Sequence, residues 1–378
     1  MHYLDHNATS PLRPQARAAV ERALGCANPS SIHAEGRKAR ALMEEARAQV
    51  AQLANADAQS ITFTSGGTEA NALALHAAIY GAMEREARLT RLFVSAIEHD
   101  SVTANAAALV ERFAGLRLET LPVTAQGVLD LEALRTALRE GKGRALVAVM
   151  AANNETGAIQ PTTEIIRLAR EAGALTFVDA VQAAGKIPLA FDADYLTVSS
   201  HKLGGPQGAG ALVVKPDAPF AAQILGGGQE RSHRAGTENV AAIAGFGAAA
   251  EAAHSEKANP ALRDRFEAAL KKVAPDAIIF SENAPRLANT SNFAAPGITA
   301  ETAVMALDLD GVMLSSGAAC SSGKVKPSHV LAAMGVEEDL ARCALRISFG
   351  WNSTEQDVDA AIASLSKLLA RPRSRAAA

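Results

Sequence analysis

Between residues 60 and 215, short apolar runs alternate with stretches that have the spacing of amphipathic helices, and this alternation restricts the fold more than any other feature of the sequence. The apolar runs predict strands at 61–64, 91–96, 144–152, 174–180, 195–200 and 210–215. The helical spacing between several of them covers 69–80, 101–113, 129–139 and 162–172. Because strands that are apolar throughout are buried on both faces, the pattern predicts an α/β fold in which helices cover both faces of a mostly parallel sheet.

The pattern changes after residue 237, where longer helical segments appear together with short strand-like runs. The helical segments are 238–253, 261–273, 300–309 and 354–369, and the strand-like runs are "AIIF", "NTSNF" and "ALRISF". A chain of 378 residues exceeds the size at which a single core keeps growing. We therefore expect a large domain at 11–250 and a smaller α+β domain at 251–378, with residues 1–10 able to pack on either. Near the N-terminus, Ser10 and Pro11 predict the cap and first turn of a helix.

The charge balance and the hydropathy exclude several classes of protein. Lys and Arg total 37 against 40 Asp and Glu, a formal net charge of -3 without a long basic block, so nucleic acid is not an expected partner. The most apolar run, "VAAIAGFGAAA" at 240–250, is too short to cross a bilayer, and the first residues lack the pattern of an export signal. We therefore expect a cytoplasmic protein that does not enter a membrane.

The three cysteines, Cys26, Cys320 and Cys343, form no CxxC pair, which argues against a disulfide framework or a zinc site. Cys26 and Cys343 are expected to be buried in packed cores. Cys320 lies in the run "SSGAACSSGK" (315–324), whose Gly and Ser residues are typical of a flexible connector. The run is either an ordinary connector or a mobile arm that carries a nucleophile, and the choice depends on the presence of a partner site.

Polar residues directly follow several predicted strands, at the edge of the sheet where α/β proteins bind ligands. In "TSGGTEA" (64–70), two glycines and a helix start favour an anion such as phosphate, or form only a turn and a cap. Asp179 ends a strand and needs a cationic partner, or caps the next segment. Lys202 follows another strand beside His201, and it could form an imine with a carbonyl group or lie in solvent.

One cofactor accounts for these three features together. Pyridoxal phosphate needs a cradle for its phosphate, a lysine for its carbonyl carbon and an acid opposite its pyridine nitrogen. The anion site, Lys202 and Asp179 supply one each, from the ends of three strands. The sequence therefore predicts a pyridoxal-phosphate enzyme.

Ten motifs then occur in a fixed order: "YLDHNAT", "NPSSIHAEGRKAR", "FTSGGTEAN", "EHDSV", "NNETGAIQP", "VDAVQAAGKIP", "SSHKLGGPQGAGALVV", "GGGQERSHRAGTEN", "SSGAACSSG" and "LRISFGWNST". In this order they resemble the pyridoxal-phosphate-dependent cysteine desulfurases of the NifS/IscS group, and "RAGTEN" is closer to the NifS-like branch. The resemblance implies an aspartate-aminotransferase-type fold, a homodimer with both active sites at the interface, and conversion of L-cysteine to L-alanine. The sulfur would be captured as a persulfide on Cys320 and passed to an acceptor protein such as an iron–sulfur scaffold.

The resemblance also assigns roles to single residues. Lys202 would hold the cofactor as an imine and move protons at the substrate α-carbon, His99 would stack on the pyridine ring, and Asp179 would pair with the ring nitrogen. Asn154 and Gln182 would bind the phenolate oxygen of the cofactor. The residues implied at its phosphate are Gly67, Thr68, Ser199 and His201 of the same subunit, joined by Thr237 from the other subunit. Arg346 would bind the substrate carboxylate as a fork. No resident metal is expected, and Cys320 would meet an iron–sulfur cluster only during transfer.

Several alternatives remain open. His99 could be a buried structural histidine, Arg346 could form a structural ion pair, and Asn154 and Gln182 could cap turns. A selenocysteine lyase or related C–S lyase on the same fold would tolerate the loss of Cys320. A non-catalytic scaffold would use that thiol only as a sulfur relay.

Two positions depart from the family, which often has Ser at Ala318 and Asn at His6. Neither departure removes a catalytic group, although the order of the Cys320 loop and the polarity beside the cofactor could differ.

Overall fold

The computed structural model describes residues 1–256, 258–317 and 328–370. The strands are β1 (His2–Tyr3), β2 (Ile61–Thr64), β3 (Leu89–Ser95), β4 (Arg117–Leu121), β5 (Arg144–Met150), β6 (Leu175–Asp179), β7 (Tyr195–Ser199), β8 (Gly210–Val214), β9 (Ile278–Ile279), β10 (Thr290–Ala294), β11 (Val312–Met313), β12 (Ser315–Ser316) and β13 (Ala344–Ser348). The helices are α1 (Pro14–Ala23), α2 (Ala34–Ala54), α3 (Gly67–Glu84), α4 (Asp100–Arg112), α5 (Leu131–Glu140), α6 (Thr162–Glu171), α7 (Val240–Ser255), α8 (Ala261–Val273), α9 (Ala300–Leu309), α10 (His329–Ala333), α11 (Glu338–Ala341) and α12 (Glu355–Leu369).

The larger sheet has the strand order β2-β8-β7-β6-β5-β3-β4. The strands from β7 to β4 are parallel to one another, and β8 is antiparallel to both of its neighbours. The predicted fold class, a mostly parallel mixed sheet between helices, is therefore confirmed. Parallel strands end at the same edge of the sheet, so the residues that follow β5, β6 and β7 come together there.

Helices cover both faces of this sheet because successive side chains of a strand point to opposite sides. Val147 and Val178 pack into a core with residues of α1, α2, α6 and α7. Leu146 and Phe177, each one position earlier, pack on the other face with residues of α3 and α4. The buried strands are thus apolar on both sides, which is the pattern that predicted them.

Two elements of this domain were not predicted. Strand β4 pairs only with β3 at the edge of the sheet, and its residues "RLETL" are mostly half-exposed, so they lack an apolar run. Helix α2 is rich in charged residues, and its buried stripe consists largely of alanines such as Ala39 and Ala46, which give a weak hydrophobic signal.

A second, smaller sheet has the antiparallel order β12-β13-β10-β9. Its core contains Phe266, Phe293 and Leu345 together with Leu4 from the start of the chain. Strand β1 pairs in parallel with β11 in a separate two-stranded sheet. The next residue, Leu4, accepts from Ser348 N of β13 at 2.8 Å, so the start of the chain packs on the smaller sheet. The segment after β1 then crosses to the larger sheet, where Ser10 N donates to His201 O at 2.9 Å.

The predicted helix start at Ser10 is wrong, because α1 begins at Pro14 after Arg13. The hydroxyl of Ser10 forms a hydrogen bond with His6 Nδ1 at 2.9 Å instead of capping a helix. Arg13 N donates to Gly204 O at 2.8 Å, and the backbone of Arg13 is extended, so the chain before α1 is held against the segment that follows β7. The next proline, at the first helical position, then starts the helix.

Cys26 and Cys343 pack at the edges of two cores, and both side chains are half-buried. The expected full burial is therefore wrong for both, because Cys26 lies in the loop after α1 and Cys343 directly precedes β13. Within the described ranges, no helix is long and apolar enough to cross a membrane.

Candidate active site

A cavity of about 280 Å³ lies at the carboxyl ends of β5, β6 and β7. Ten of the residues predicted to act here line it: Gly67, Thr68, His99, Asn154, Asp179, Gln182, Ser199, His201, Lys202 and Arg346. Residues from the N-terminal segment and from β13 close the side that faces the smaller sheet. The structure therefore brings together residues that the sequence places up to 279 positions apart, from 67 to 346.

One end of the cavity is built for an anion. Helix α3 begins at Gly67, and no side chain caps its first turn, so its N–H groups and the positive end of its dipole face the cavity. The hydroxyl of Ser199 is buried there without a hydrogen-bond partner in the described chain. A Cβ atom at Gly67 would lie 3.0 Å from Val181 Cγ2 and 3.3 Å from Ser199 Cβ, so glycine keeps the backbone open to a ligand. A phosphate group fits this arrangement.

Asp179 lies on the same cavity at the end of β6. Its Oδ2 accepts from Asn71 Nδ2 at 2.7 Å, and its Oδ1 accepts from Val181 N at 2.9 Å. Among the described residues, no Lys, Arg or His forms a salt bridge with Asp179, so the cationic partner expected for it remains a prediction. The bond from Val181 N is the capping contact considered as the alternative. Asn71 is held in turn by Thr197 and Ser101. This carboxylate is oriented by neutral donors and fits a protonated ring nitrogen.

A second carboxyl group, Glu98, lies close behind Asp179 and was missed by sequence reasoning. Its side chain is 1% exposed, and Oε1 accepts from Met150 N at 2.6 Å. Burial, followed by the charge of Asp179, raises the pKa of Glu98 well above its usual range. Burial therefore favours the protonated form of Glu98.

Lys202 lies in the short turn after β7, and its Nζ donates to Asn7 O at 2.6 Å and to Ala8 O at 2.8 Å. The neighbouring His201 contacts Thr9 Oγ1 through Nδ1 at 3.1 Å. Burial, and then the charge of Lys202, lower the pKa of His201 to about 4. His201 is therefore neutral near pH 7 and can donate one N–H to an anion.

His99 lines the cavity from the start of α4, where it is the N-cap residue. Its Nδ1 accepts from Ser101 N at 3.0 Å and lies 2.8 Å from the Ser101 hydroxyl. Because Nδ1 accepts from a backbone N–H, the ring proton of the neutral form lies on Nε2. His99 thus caps helix α4 and also lines the cavity.

Arg346 is 1% exposed and reaches the cavity from β13. Its Nη2 donates to Asp5 Oδ1 at 2.5 Å and its Nη1 to Asn154 O at 3.0 Å. Its Nε is buried without a partner in the described residues. The structural ion pair considered from the sequence therefore exists, and its partner is Asp5.

Asn7 was not predicted as a site residue, yet it makes more polar contacts around the cavity than any residue that was. Its main-chain oxygen accepts from Lys202 and from Gln182 Nε2, the latter at 2.8 Å. Its Nδ2 donates to Thr290 Oγ1 at 2.9 Å and to Asn154 O at 3.2 Å. The only sequence signal for Asn7 was its place in the motif "YLDHNAT".

Four residues singled out in the sequence, Thr237, Cys320, Ala318 and His6, are not among the described residues that line this cavity. Thr237 is exposed and does not line it, and its predicted role was on the partner subunit. Cys320 and Ala318 lie outside the described residues. His6, the second departure from the family, lines a neighbouring cavity, and burial, followed by the charges of Lys186 and Arg13, lowers its pKa to about 4. In the described part of the chain, no group of three or more His, Cys, Asp or Glu side chains could hold a metal ion.

Comparison with known proteins agrees with this geometry. The Aminotransferase class-V family profile matches residues 2–361. An IscS-like cysteine desulfurase from Mycobacterium tuberculosis is 40% identical, and the match covers 100% of this chain and 98% of the relative. The crystal structure of a NifS-like protein from Rickettsia africae superimposes with a TM-score of 0.86 at 35% identity, covering 97% of this chain and 99% of that one. A solved structure of SspA in complex with cysteine has a TM-score of 0.81 at 29% identity, covering 94% and 100%. The chain therefore belongs to the class-V aminotransferase family and, within it, to the pyridoxal-phosphate-dependent cysteine desulfurases.

Proposed function

We propose that this protein takes sulfur from L-cysteine, releases L-alanine and carries the sulfur as a persulfide on Cys320. The observation that carries the proposal is the convergence of an uncapped helix start, Asp179 and Lys202 on one cavity of about 280 Å³. Each of these features has a structural explanation when taken alone. Together they match the three chemical needs of pyridoxal phosphate.

The residues present fit the cofactor at three points. Gly67, Thr68, Ser199 and His201 would hold the phosphate, Asp179 would face the ring nitrogen, and Lys202 would bond to the carbonyl carbon. When bound, pyridoxal phosphate supplies an electron sink that weakens the bonds around the α- and β-carbons of an amino acid.

The side chains of this protein would do the remaining work. Arg346 would bind the substrate carboxylate, since a guanidinium group matches two carboxylate oxygens. Lys202 would move the proton at the substrate α-carbon. The Cβ–S bond of cysteine breaks, an S–S bond forms with the thiol of Cys320, and the released product is alanine. One cysteine and one thiol give one alanine and one persulfide, so the step needs no external oxidant.

A homodimer is part of the proposal, with Thr237 reaching the phosphate of the partner subunit. Two exposed apolar residues in the same segment, Ile224 at 41% and Leu225 at 82% exposure, support a contact there. An iron–sulfur scaffold as the sulfur acceptor and a cytoplasmic location remain predictions.

The test is mass spectrometry of the cofactor-loaded protein after exposure to L-cysteine. We expect one added sulfur atom on the peptide that contains Cys320 and none on the peptide that contains Cys343. Cys320→Ala should lose alanine release from cysteine, whereas Cys343→Ala, the matched control, should keep it. Undiminished turnover by Cys320→Ala would contradict the persulfide route and favour a selenocysteine lyase or related C–S lyase.

The attachment of the cofactor has a separate test. Borohydride reduction of the loaded protein followed by peptide mapping should place the label on Lys202. A label on another amine would overturn the assignment of the site.

A further inference from the structure

A second lysine, Lys186, lies beside the cavity without lining it. Its Nζ donates to Gln182 Oε1 at 2.9 Å and to Asn7 Oδ1 at 3.2 Å. Lys186 and Lys202 both line a neighbouring cavity of about 390 Å³. Any effect of Lys186 on the first cavity must therefore act through Gln182, through Asn7 or through its charge.

The backbone before Lys186 directs its side chain into this position. Gly185 has a φ of 69°, in the left-handed region that favours glycine. A Cβ atom at Gly185 would lie 2.8 Å from Ala253 Cβ and 2.9 Å from Leu203 Cδ2. The turn after β6 therefore packs tightly on α7 and on the Lys202 segment.

Lys186 has no carboxylate partner among the residues that the structure describes, since no salt bridge involves it there. Burial, followed by the charges of Lys202 and Arg346, lowers the pKa of Lys186 to about 7. Lys186 is half-buried, and an ammonium group taken partly out of water and paired, among the described residues, with amide oxygens gains little stability over an apolar residue of similar size. Stability of the fold does not explain this lysine.

We propose that Lys186 is a positioning residue of the site, which orients Gln182 and Asn7 and supplies a positive charge that opposes protonation of Lys202. The proposal rests on the proposed function, because it concerns the same lysine that bonds to the cofactor. It assigns to Lys186 no contact with substrate or cofactor.

The orienting part follows from the hydrogen bonds. An amide has one oxygen and one nitrogen end, and Lys186 can only donate, so it fixes Oε1 of Gln182 on its own side. Nε2 then points to Asn7 O, the same oxygen that accepts from Lys202 Nζ. Lys186 also holds the side chain of Asn7 through Oδ1. One residue, Asn7, is thus bound by one lysine at its side chain and by the other at its main chain.

The electrostatic part follows from reciprocity. If the charge of Lys202 disfavours a proton on Lys186, then a charge on Lys186 disfavours a proton on Lys202 to the same extent. Among the described residues, the other charged or titratable side chains around the two amines come from several elements. They are Arg346 and Asp5 from the β13 side, Asp179 at the end of β6, His201 beside Lys202, His99 at the start of α4, and His6, Arg13 and Glu256 in the neighbouring cavity. None of them contacts Lys186 within salt-bridge distance.

The test uses the pyridoxal-phosphate-loaded protein, whose visible absorption changes when the nitrogen of Lys202 takes up a proton. In Lys186→Met the midpoint of this pH titration should rise by about one unit, because a nearby positive charge is lost. Lys186→Arg is charged at every pH of the titration, so its midpoint should equal that of the wild type or lie below it. Lys142→Met, at an exposed lysine, should not change the midpoint. A purely structural role for Lys186 would lower the unfolding temperature of Lys186→Met and leave the midpoint unchanged, and that result overturns the proposal.

A second measurement needs no cofactor and covers a variant that fails to load. In the cofactor-free protein, the side-chain nitrogen of Lys186 can be titrated by ¹⁵N NMR, with Lys186→Arg identifying its signal. Its midpoint should rise in Lys202→Met, and an unchanged midpoint contradicts the coupling of the two lysines. If the wild type binds no cofactor at Lys202, the proposed function fails, but this titration still decides whether the two amines are coupled.

Discussion

The two sides of the cavity are built in different ways. The strand-end wall, which consists of Gly67, Asp179, Ser199 and Lys202, comes from residues at or just after the ends of strands in one sheet. The assembled wall, which consists of Asn7, Ala8 and Arg346, comes from the N-terminal segment and from the smaller sheet. Asp5 and Arg346, whose ion pair holds the assembled wall, are 341 residues apart in the chain.

The two walls differ in whether the residues that face the ligand also stabilise the fold. In the strand-end wall, the sheet already fixes the backbone, so its side chains can be chosen for a ligand, and Ser199 has a buried hydroxyl without a partner in the described chain. In the assembled wall, the same polar groups that face the cavity also connect the two sheets. Substitutions in the first wall should therefore affect activity with little change in stability, and substitutions in the second should affect both.

The largest effect is expected at Asp179. Asp179→Asn keeps the shape of the side chain but removes the anion that would pair with the ring nitrogen, so turnover of cysteine should fall about 1,000-fold. The free energy of unfolding should fall by only about 1–2 kcal/mol, because the amide replaces one of the two oxygens that accept from Asn71 and Val181. Alanine release and urea unfolding measure the two quantities, with the exposed Asp276→Asn as control. A loss of stability as large as the loss of activity would contradict the separation of the walls.

Asn7→Ala should affect both quantities. The side chain of Asn7 donates to Asn154 O and Thr290 and accepts from Lys186 and Asn289. Removing it leaves several buried groups without partners, so the free energy of unfolding should fall by about 3 kcal/mol. Turnover should fall with it, because the segment that contacts Lys202 is no longer held. Urea unfolding of this variant and of the exposed control Asn283→Ala tests the prediction, and equal stability of the two would refute it.

The buried carboxyl group of Glu155, next to Asn154, makes the stability of the protein dependent on pH. Burial raises the pKa of Glu155 to about 7, and the carboxyl group accepts from the Ser328 hydroxyl. The folded protein therefore binds a proton more tightly than the unfolded chain, so this stabilisation is present below the ordinary pKa of glutamate and is lost as pH rises through 7.

The loss between pH 5 and pH 8 should be about 2.5 kcal/mol, and Glu155→Gln, which cannot ionise, should not show it. Urea unfolding of both proteins at the two pH values gives the comparison. The stability of the variant relative to the wild type should increase at the higher pH, and a difference independent of pH would argue against a shifted Glu155.

The smallest effect is expected at Ser199. Ser199→Ala removes one hydroxyl from the anion end of the cavity, so the affinity for pyridoxal phosphate should fall about tenfold with no loss of stability. Ser200→Ala is a matched control, because its hydroxyl is also buried without a described partner but does not line the cavity. Equilibrium binding of the cofactor to both variants measures the effect. Equal affinities would remove Ser199 from the phosphate site.

Sequence reasoning was most successful where structure is local. The strands β5, β6 and β7 were predicted because burial on both faces makes them continuously apolar, and Asp179 and Lys202 were found because they follow such strands. The edge strand β4 and the alanine-lined helix α2 lack that signal and were missed. The helix start at Ser10 was misplaced because hydrogen bonds to His201 and Gly204, distant in sequence, hold the chain before α1 against the segment that follows β7.

The sequence alone determined the alternation of strands and helices, the residues at the strand ends and the family, because these depend on neighbours within a few positions or on motifs of adjacent residues. Only the tertiary structure decided that Asn7 contacts Lys202, that Glu98 lies behind Asp179, and that Lys186 comes close to Lys202. Such contacts join different segments of the chain, and their geometry is set by the order of strands in the larger sheet and by the path of the N-terminal segment between the two sheets. No periodicity within either segment contains that information.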